Sequence, residues 1–401
     1  MTRELWSLTA VIAIAAIVPL VLGLLRWRVA AVVLLLVGGA AFGPSGLRII
    51  SVSEPIELLS NLGLGLLFFL AGMEIDATAM RGRGGRLAAY GWIISIVLAA
   101  AVAFALARAG MLQDGLGFAI ALTSTALGTL LPSLHDSGDL ERPFGRYFLA
   151  AGAWGEFGPV LAIAILLGSH AAWASILIVL GFLVLAMVIW LIGRRFATPR
   201  VRAILDFGNH TSSQTGLRFT LLVVILLLAL ASGAGLDLVL GAFVAGIIVR
   251  RLIGDVTSSP LPEKIEAVAY GFFIPVFFVV AGANLDLAAI AQSLGVVVII
   301  FVALYVIRGL PTWFLYRRAL PNVGERTRFS LYVATGLPII IALVTVEIAD
   351  GVMTERSGSA LIGAGALTVL VFPLVGDIIA RRQRRSSDAT GSDQDRAAKT
   401  A

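Results

Sequence analysis

The sequence predicts an all-α polytopic membrane protein of about 13 transmembrane helices, arranged as two inverted repeats with interrupted helices. Three observations predict it. The 401 residues are 59% hydrophobic and 13% charged, where a soluble domain carries about a quarter charged residues. Apolar runs of about 20 residues recur along the chain, enough to cross a bilayer as helices, whereas a β-barrel shows short alternating segments. Basic residues segregate to one side, as described next.

The spans fall at about 7–25, 29–43, 57–75, 86–108, 115–132, 144–168, 171–193, 217–233, 235–249, 266–283, 288–315, 326–349 and 358–380. Arg26 and Arg28 follow the first span in place of a small-residue cleavage site, so it reads as a retained helix with its N-terminus outside. With that start the inner side collects 25 of the 30 Lys and Arg. The outer side holds Arg3, Arg48, Arg108 and Arg356, and Arg308 lies within a span. This asymmetry follows the positive-inside rule, predicts a cytoplasmic C-terminus in the cell membrane, and accounts for the net charge of +6 without a nucleic-acid partner.

Two segments repeat at an offset of 210 residues. Ala71-Gly72-Met73-Glu74-Ile75-Asp76 ends the third span and Ala281-Gly282-Ala283-Asn284-Leu285-Asp286 ends the tenth, each after a Phe-Phe pair. Thr125 maps onto Thr335 at the same offset. The paired spans are seven apart and so cross in opposite directions, the pattern of inverted repeats whose sites lie between interrupted helices at the midplane.

Chemistry concentrates around Glu156, the lone carboxylate inside the sixth span. An acid at bilayer depth is costly and marks function, and a proton and a metal cation compete for its oxygens. Gly152, Gly155 and Gly158 leave space around it. Pro159 lacks an N–H and frees a carbonyl one turn back, loosening the helix there. Thr123, Ser124 and Thr125 offer hard oxygen ligands for an alkali cation at a helix break, or serve only to bond neighbouring helices. Thr335, Gly336 and Pro338 mark the partner break. Arg308 lies nine residues before Arg317, about 13 Å deeper if helical. It either balances charge at Glu156 or the broken-helix carbonyls, or snorkels to the inner surface. Glu74, Asp76, Asp286, Glu347 and Asp350 sit near span ends and read as solvated interface charges, or line an access funnel. The absence of cysteine and the scatter of His135, His170 and His210 argue against a cysteine- or histidine-based metal site and against an enzyme. No cofactor is expected, and an alkali cation at Glu156 is the only metal expected.

The segments NLGLGLLFFLAGMEID, LGAFVAGIIV and IPVFFVVAGANLDL resemble signatures of the monovalent cation:proton antiporter-2 family, within the sodium/hydrogen exchanger superfamily of bacteria. The resemblance covers about residues 7 to 380. It implies Na⁺ or K⁺ exchange for protons by alternating access, with a core domain working against a scaffold that forms a homodimer. Carried over, residues 1–85 are scaffold helices and 86–168 core. Residues 169–287 are a linking helix and scaffold, 288–380 core, and 381–401 a disordered cytosolic tail. The family's usual Asp, preceded by a polar residue, is Gly155-Glu156 here, and Lys264 and Lys399 are the only lysines. One titrating carboxylate and no membrane lysine predict electroneutral exchange. The other readings are a K⁺ efflux channel-like system or a non-transporting sensor on the same scaffold.

Overall fold

The computed structural model describes residues 2–25, 31–74, 80, 82–108, 115–136, 138–167, 172–196, 214–253 and 260–400. Asp76, His170 and His210 lie outside them. The described chain is helical almost throughout, because hydrocarbon leaves backbone groups only their own helix as a partner. In order the helices are α1 (Thr2–Leu25), α2 (Ala31–Phe42), α3 (Glu54–Glu74), α4 (Gly82–Arg108), α5 (Gly115–Ala121) and α6 (Leu127–Asp136). There follow α7 (Pro143–Leu166), α8 (Ala172–Phe196), α9 (Thr215–Gly233), α10 (Leu238–Ile253), α11 (Leu261–Val268) and α12 (Ile274–Ala283). The last six are α13 (Leu287–Gln292), α14 (Leu294–Leu304), α15 (Leu310–Leu315), α16 (Val323–Val333), α17 (Leu337–Ala349) and α18 (Glu355–Thr400). π-helical turns, Ala269–Phe273 and Tyr305–Gly309, join α11 to α12 and α14 to α15.

Among the described residues, ten helical stretches are long and apolar enough to cross a membrane. The other three expected crossings correspond to the shorter α2 and α10 and to the interrupted pair α5/α6. The last helix, α18, runs to Thr400.

The chain divides into two compact units. The first comprises Met1–Asp76, Glu156–Ser293 and Ile341–Ser359, and the second Ala77–Gly155, Leu294–Ile340 and Ala360–Ala401. Phe157 stacks on Phe243 with ring centroids 5.8 Å apart, and Ser359 Oγ accepts the Asp286 N–H, all within the first unit. Asp286 also caps α13 by accepting the Ala289 N–H at 2.9 Å, which gives this repeat carboxylate a structural task.

In the first unit α3 and α10 approach closely enough that a Cβ on Gly72 or Gly246 would run into the carbonyl of Phe243 or Phe69. In the second unit a core of buried rings joins α7, α16 and α18. Phe144 meets Phe329 and Tyr332 edge-on, at 5.8 and 6.1 Å, in the geometry favoured by ring quadrupoles. Arg328 lies over the Phe144 ring at 4.4 Å and pairs with Asp139, and Tyr332 donates to Asp377 at 3.0 Å.

Asp139 and Arg328 are 3% and 7% exposed. Removing one partner strands the other charge, at a cost of about 3–5 kcal/mol. Asp139→Ala is therefore expected to lower the melting temperature of detergent-solubilised protein clearly. A melting curve matching the wild type would show that this pair does not hold the second unit together.

Candidate functional site

The site is built on two helix interruptions that cross in the second unit. The chain leaves helix between Ala121 and Leu127 and again between Val333 and Leu337, at Thr123–Thr125 and Thr335–Gly336. Each break exposes backbone groups that must find partners away from water, and part of that pairing runs between the two breaks. The Ala126 N–H donates to the Thr335 carbonyl. Ser124 Oγ donates to the Gly336 carbonyl at 3.0 Å and to its own Ala121 carbonyl at 2.8 Å. Thr125 Oγ1 donates to the Val333 carbonyl at 2.7 Å. Thr123 Oγ1 donates to Ile120 and Thr335 Oγ1 to Leu331, both on their own side of the crossing. The carbonyl ends of α5 and α16 and the N–H ends of α6 and α17 thus meet, so partial charges of both signs lie together.

Pro159 does not break its helix. α7 is continuous from Pro143 to Leu166, correcting the expectation of an interruption there. The missing N–H leaves the Gly155 carbonyl, four residues back, without its helical donor. That carbonyl takes the Thr125 N–H at 3.0 Å. The proline thus ties α7 to the first break. Pro338 lies in the first turn of α17, where an N–H would have no helical partner anyway.

Gly152 and Gly155 of α7 are filled against, rather than leaving open space. A Cβ on Gly152 would meet Leu127 at 2.6 Å, and one on Gly155 would strike Thr125 and lie 2.7 Å from Arg308 Nη2. The close approach of both side chains requires glycine at 155.

Arg308 does not snorkel. It is 0% exposed and sits in the π-helical turn Tyr305–Gly309, a feature common at functional sites. Its Nε donates to Thr125 Oγ1 at 3.1 Å and its Nη2 to the Ala151 carbonyl at 2.9 Å. Thr125 therefore joins Arg308, both breaks and α7. Glu156, the next residue after Gly155, is 5% exposed.

The first unit holds charges that sequence reasoning set aside. Glu347 is 1% exposed, so it is not an interface charge. Asp350 and Asp237 line a cavity of about 380 Å³ with Asn61 and Thr345. Asp237, at the start of α10, drew no attention in the sequence because one acid at a span end carries no pattern.

The geometry can be set beside known proteins. The family model for the transmembrane sodium/hydrogen exchanger matches residues 12–382. The chain belongs to the sodium/hydrogen exchanger family. It is 27% identical over 376 residues to the Na⁺/H⁺ antiporter NhaS5 of Synechocystis, covering 88% of this chain and 51% of that protein. It is 23% identical over 391 residues to the glutathione-regulated potassium-efflux system protein KefC of Escherichia coli, covering 93% of this chain and 60% of that protein. The chain thus spans less than two thirds of either relative. The fold matches the sodium proton antiporter MjNhaP1 of Methanocaldococcus jannaschii with a TM-score of 0.62 at 13% identity, covering 94% of this chain and 95% of that one.

A methyl group at position 155 must displace Thr125 or Arg308. Overpacking of this kind costs about 1–3 kcal/mol, so Gly155→Ala is expected to yield folded protein with a lowered melting temperature. A melting curve matching the wild type would show that the crossing tolerates the shift.

Proposed function

We propose that this exchanger-family chain is a monovalent cation:proton antiporter that exchanges Na⁺ or K⁺ for H⁺ by alternating access. The observation that carries this reading is the crossing of two interrupted helices, bound through Thr125 to Arg308 and to the Gly155 carbonyl, directly before a buried carboxylate in the chain. Relatives named as a Na⁺/H⁺ antiporter and a potassium-efflux protein support the substrate class.

In the proposed cycle Glu156 releases its proton to one side and takes up the cation, and after the change of access it does the reverse. Competition for one carboxylate couples the two fluxes. The hydroxyl hydrogens of Thr123, Ser124 and Thr335 are directed at backbone carbonyls, so their oxygens keep lone pairs for a hard cation, whereas Thr125 Oγ1 is engaged by Arg308. Arg308 holds positive charge at the crossing and balances the carbonyl ends. With Glu156 as the one acid that carries ions between the two sides, one cation exchanges for one proton without net charge movement. The protein works as a homodimer in the cell membrane, with its N-terminus outside and its C-terminus in the cytoplasm.

The test uses purified protein in proteoliposomes with a pH dye inside and an imposed pH gradient, to which Na⁺, K⁺ or Li⁺ is added in turn. Wild type is expected to collapse the gradient with at least one cation, without generating a voltage. Glu156→Gln should abolish the response. Equal activity of variant and wild type would remove Glu156 from the mechanism. K⁺ flux without proton movement would favour an efflux channel, and a voltage would overturn electroneutrality.

A further inference from the structure

Glu74 is the last residue of α3, and the first unit places it among charges of its own sign. The charged groups acting on it are Glu156 on α7 and Glu266 on α11, and the same three carboxylates act on Tyr270 in the π-helical turn after α11. Backbone packing explains the convergence of α3 and α7. Gly72, two residues before Glu74, lies against the Phe243 carbonyl, and Phe157, one residue after Glu156, stacks on the Phe243 ring. Phe243 is thus a common anchor for the segments that carry both acids.

Among the described residues nothing offsets the charge on Glu74 Oε2. Its Oε2 is out of solvent and has no hydrogen-bond partner among the described residues. Among the described residues no positively charged group acts on it, and the carbonyl end of a helix disfavours an anion. A carboxylate so placed in a membrane protein needs a neutralising partner, and the available one is a mobile proton or cation. Among the described residues no three acids are close enough together to hold one metal ion, so the acids form successive stations. Glu266 and Tyr270 are exposed, Glu74 is half-buried and Glu156 is buried.

We propose that Glu74 is a second cation- and proton-holding carboxylate, a relay between the membrane face where α3 ends and Glu156. This rests on the antiporter reading of Glu156. Cations entering past Glu266 pause at Glu74, which raises their concentration beside Glu156. That face is the cytosolic one in the proposed topology.

The experiment measures exchange in oriented proteoliposomes against Na⁺ and K⁺ concentration, with cation presented from either face, for wild type, Glu74→Gln, Glu74→Asp and Glu156→Gln. A collecting carboxylate raises local cation concentration by about tenfold or more. Glu74→Gln is therefore expected to raise the half-saturating cation concentration about tenfold from the α3-end face only, with the maximal rate retained. Glu74→Asp, which keeps the charge, should restore most of the wild-type value. Unchanged half-saturation from both faces in Glu74→Gln, while Glu156→Gln is dead, overturns the relay and leaves the antiporter reading intact. An equal loss in Glu74→Gln and Glu74→Asp, with a lowered melting temperature, assigns Glu74 to packing and also overturns the relay. Wild type that exchanges no alkali cation overturns both readings.

Discussion

The structure depends on one constraint, that backbone polar groups within hydrocarbon must be paired, and on one place where that constraint is met across elements. Pro159 deprives the Gly155 carbonyl of its helical donor, and Thr125 supplies another from the first helix break. The Ala126 N–H and the Ser124 and Thr125 hydroxyls of that break bond to carbonyls of the second break, and the Thr123 and Ser124 N–H groups to Ile120 and Ala121. Neither interruption is self-sufficient, since each leaves carbonyls and N–H groups that would cost several kcal/mol unpaired. The crossing is therefore a single cooperative assembly, and Thr125 is its most connected residue. It donates through both its N–H and its hydroxyl, and accepts from Arg308.

This assembly is held by a stiff surround within its own unit. Edge-on rings of Phe144, Phe329 and Tyr332 fix α7 against α16, and the Asp139–Arg328 pair joins the loop before α7 to α16. The π-helical turn around Arg308 shifts the register of its helix by one residue. That shift lets the guanidinium meet Thr125 and the Ala151 carbonyl. Glycine at 155 admits both contacts. The positive charge is held by neutral oxygens, which orient it without cancelling it.

The same chemical logic separates the acids. Asp139 and Asp286 are engaged by an arginine and by a helix N-terminus, and their roles are structural. Glu74 lacks such a partner among the described residues. A carboxylate's position in the sequence does not distinguish these cases; its company in space does. This is why Glu74, whose equivalent in the second repeat is Asn284, and Asp286, the equivalent of Asp76, carry different assignments.

Hydropathy by itself determined the class of protein and nearly all the helix positions, because each span must satisfy its own backbone and so announces itself as a long apolar run. The 210-residue offset between Thr125 and Thr335 also pointed to two related breaks, since Thr, Gly and Pro in an apolar run interrupt a helix locally. Tertiary structure alone decided what each break is bonded to. It placed Arg308 at 0% exposure when the sequence allowed burial or snorkelling, kept α7 continuous through Pro159, and filled the space expected beside Gly155. It also drew Glu74 into the company of Glu156 through Phe243. These are contacts between residues far apart in the chain, and no local pattern of apolar and polar residues encodes which distant neighbour fills a given position.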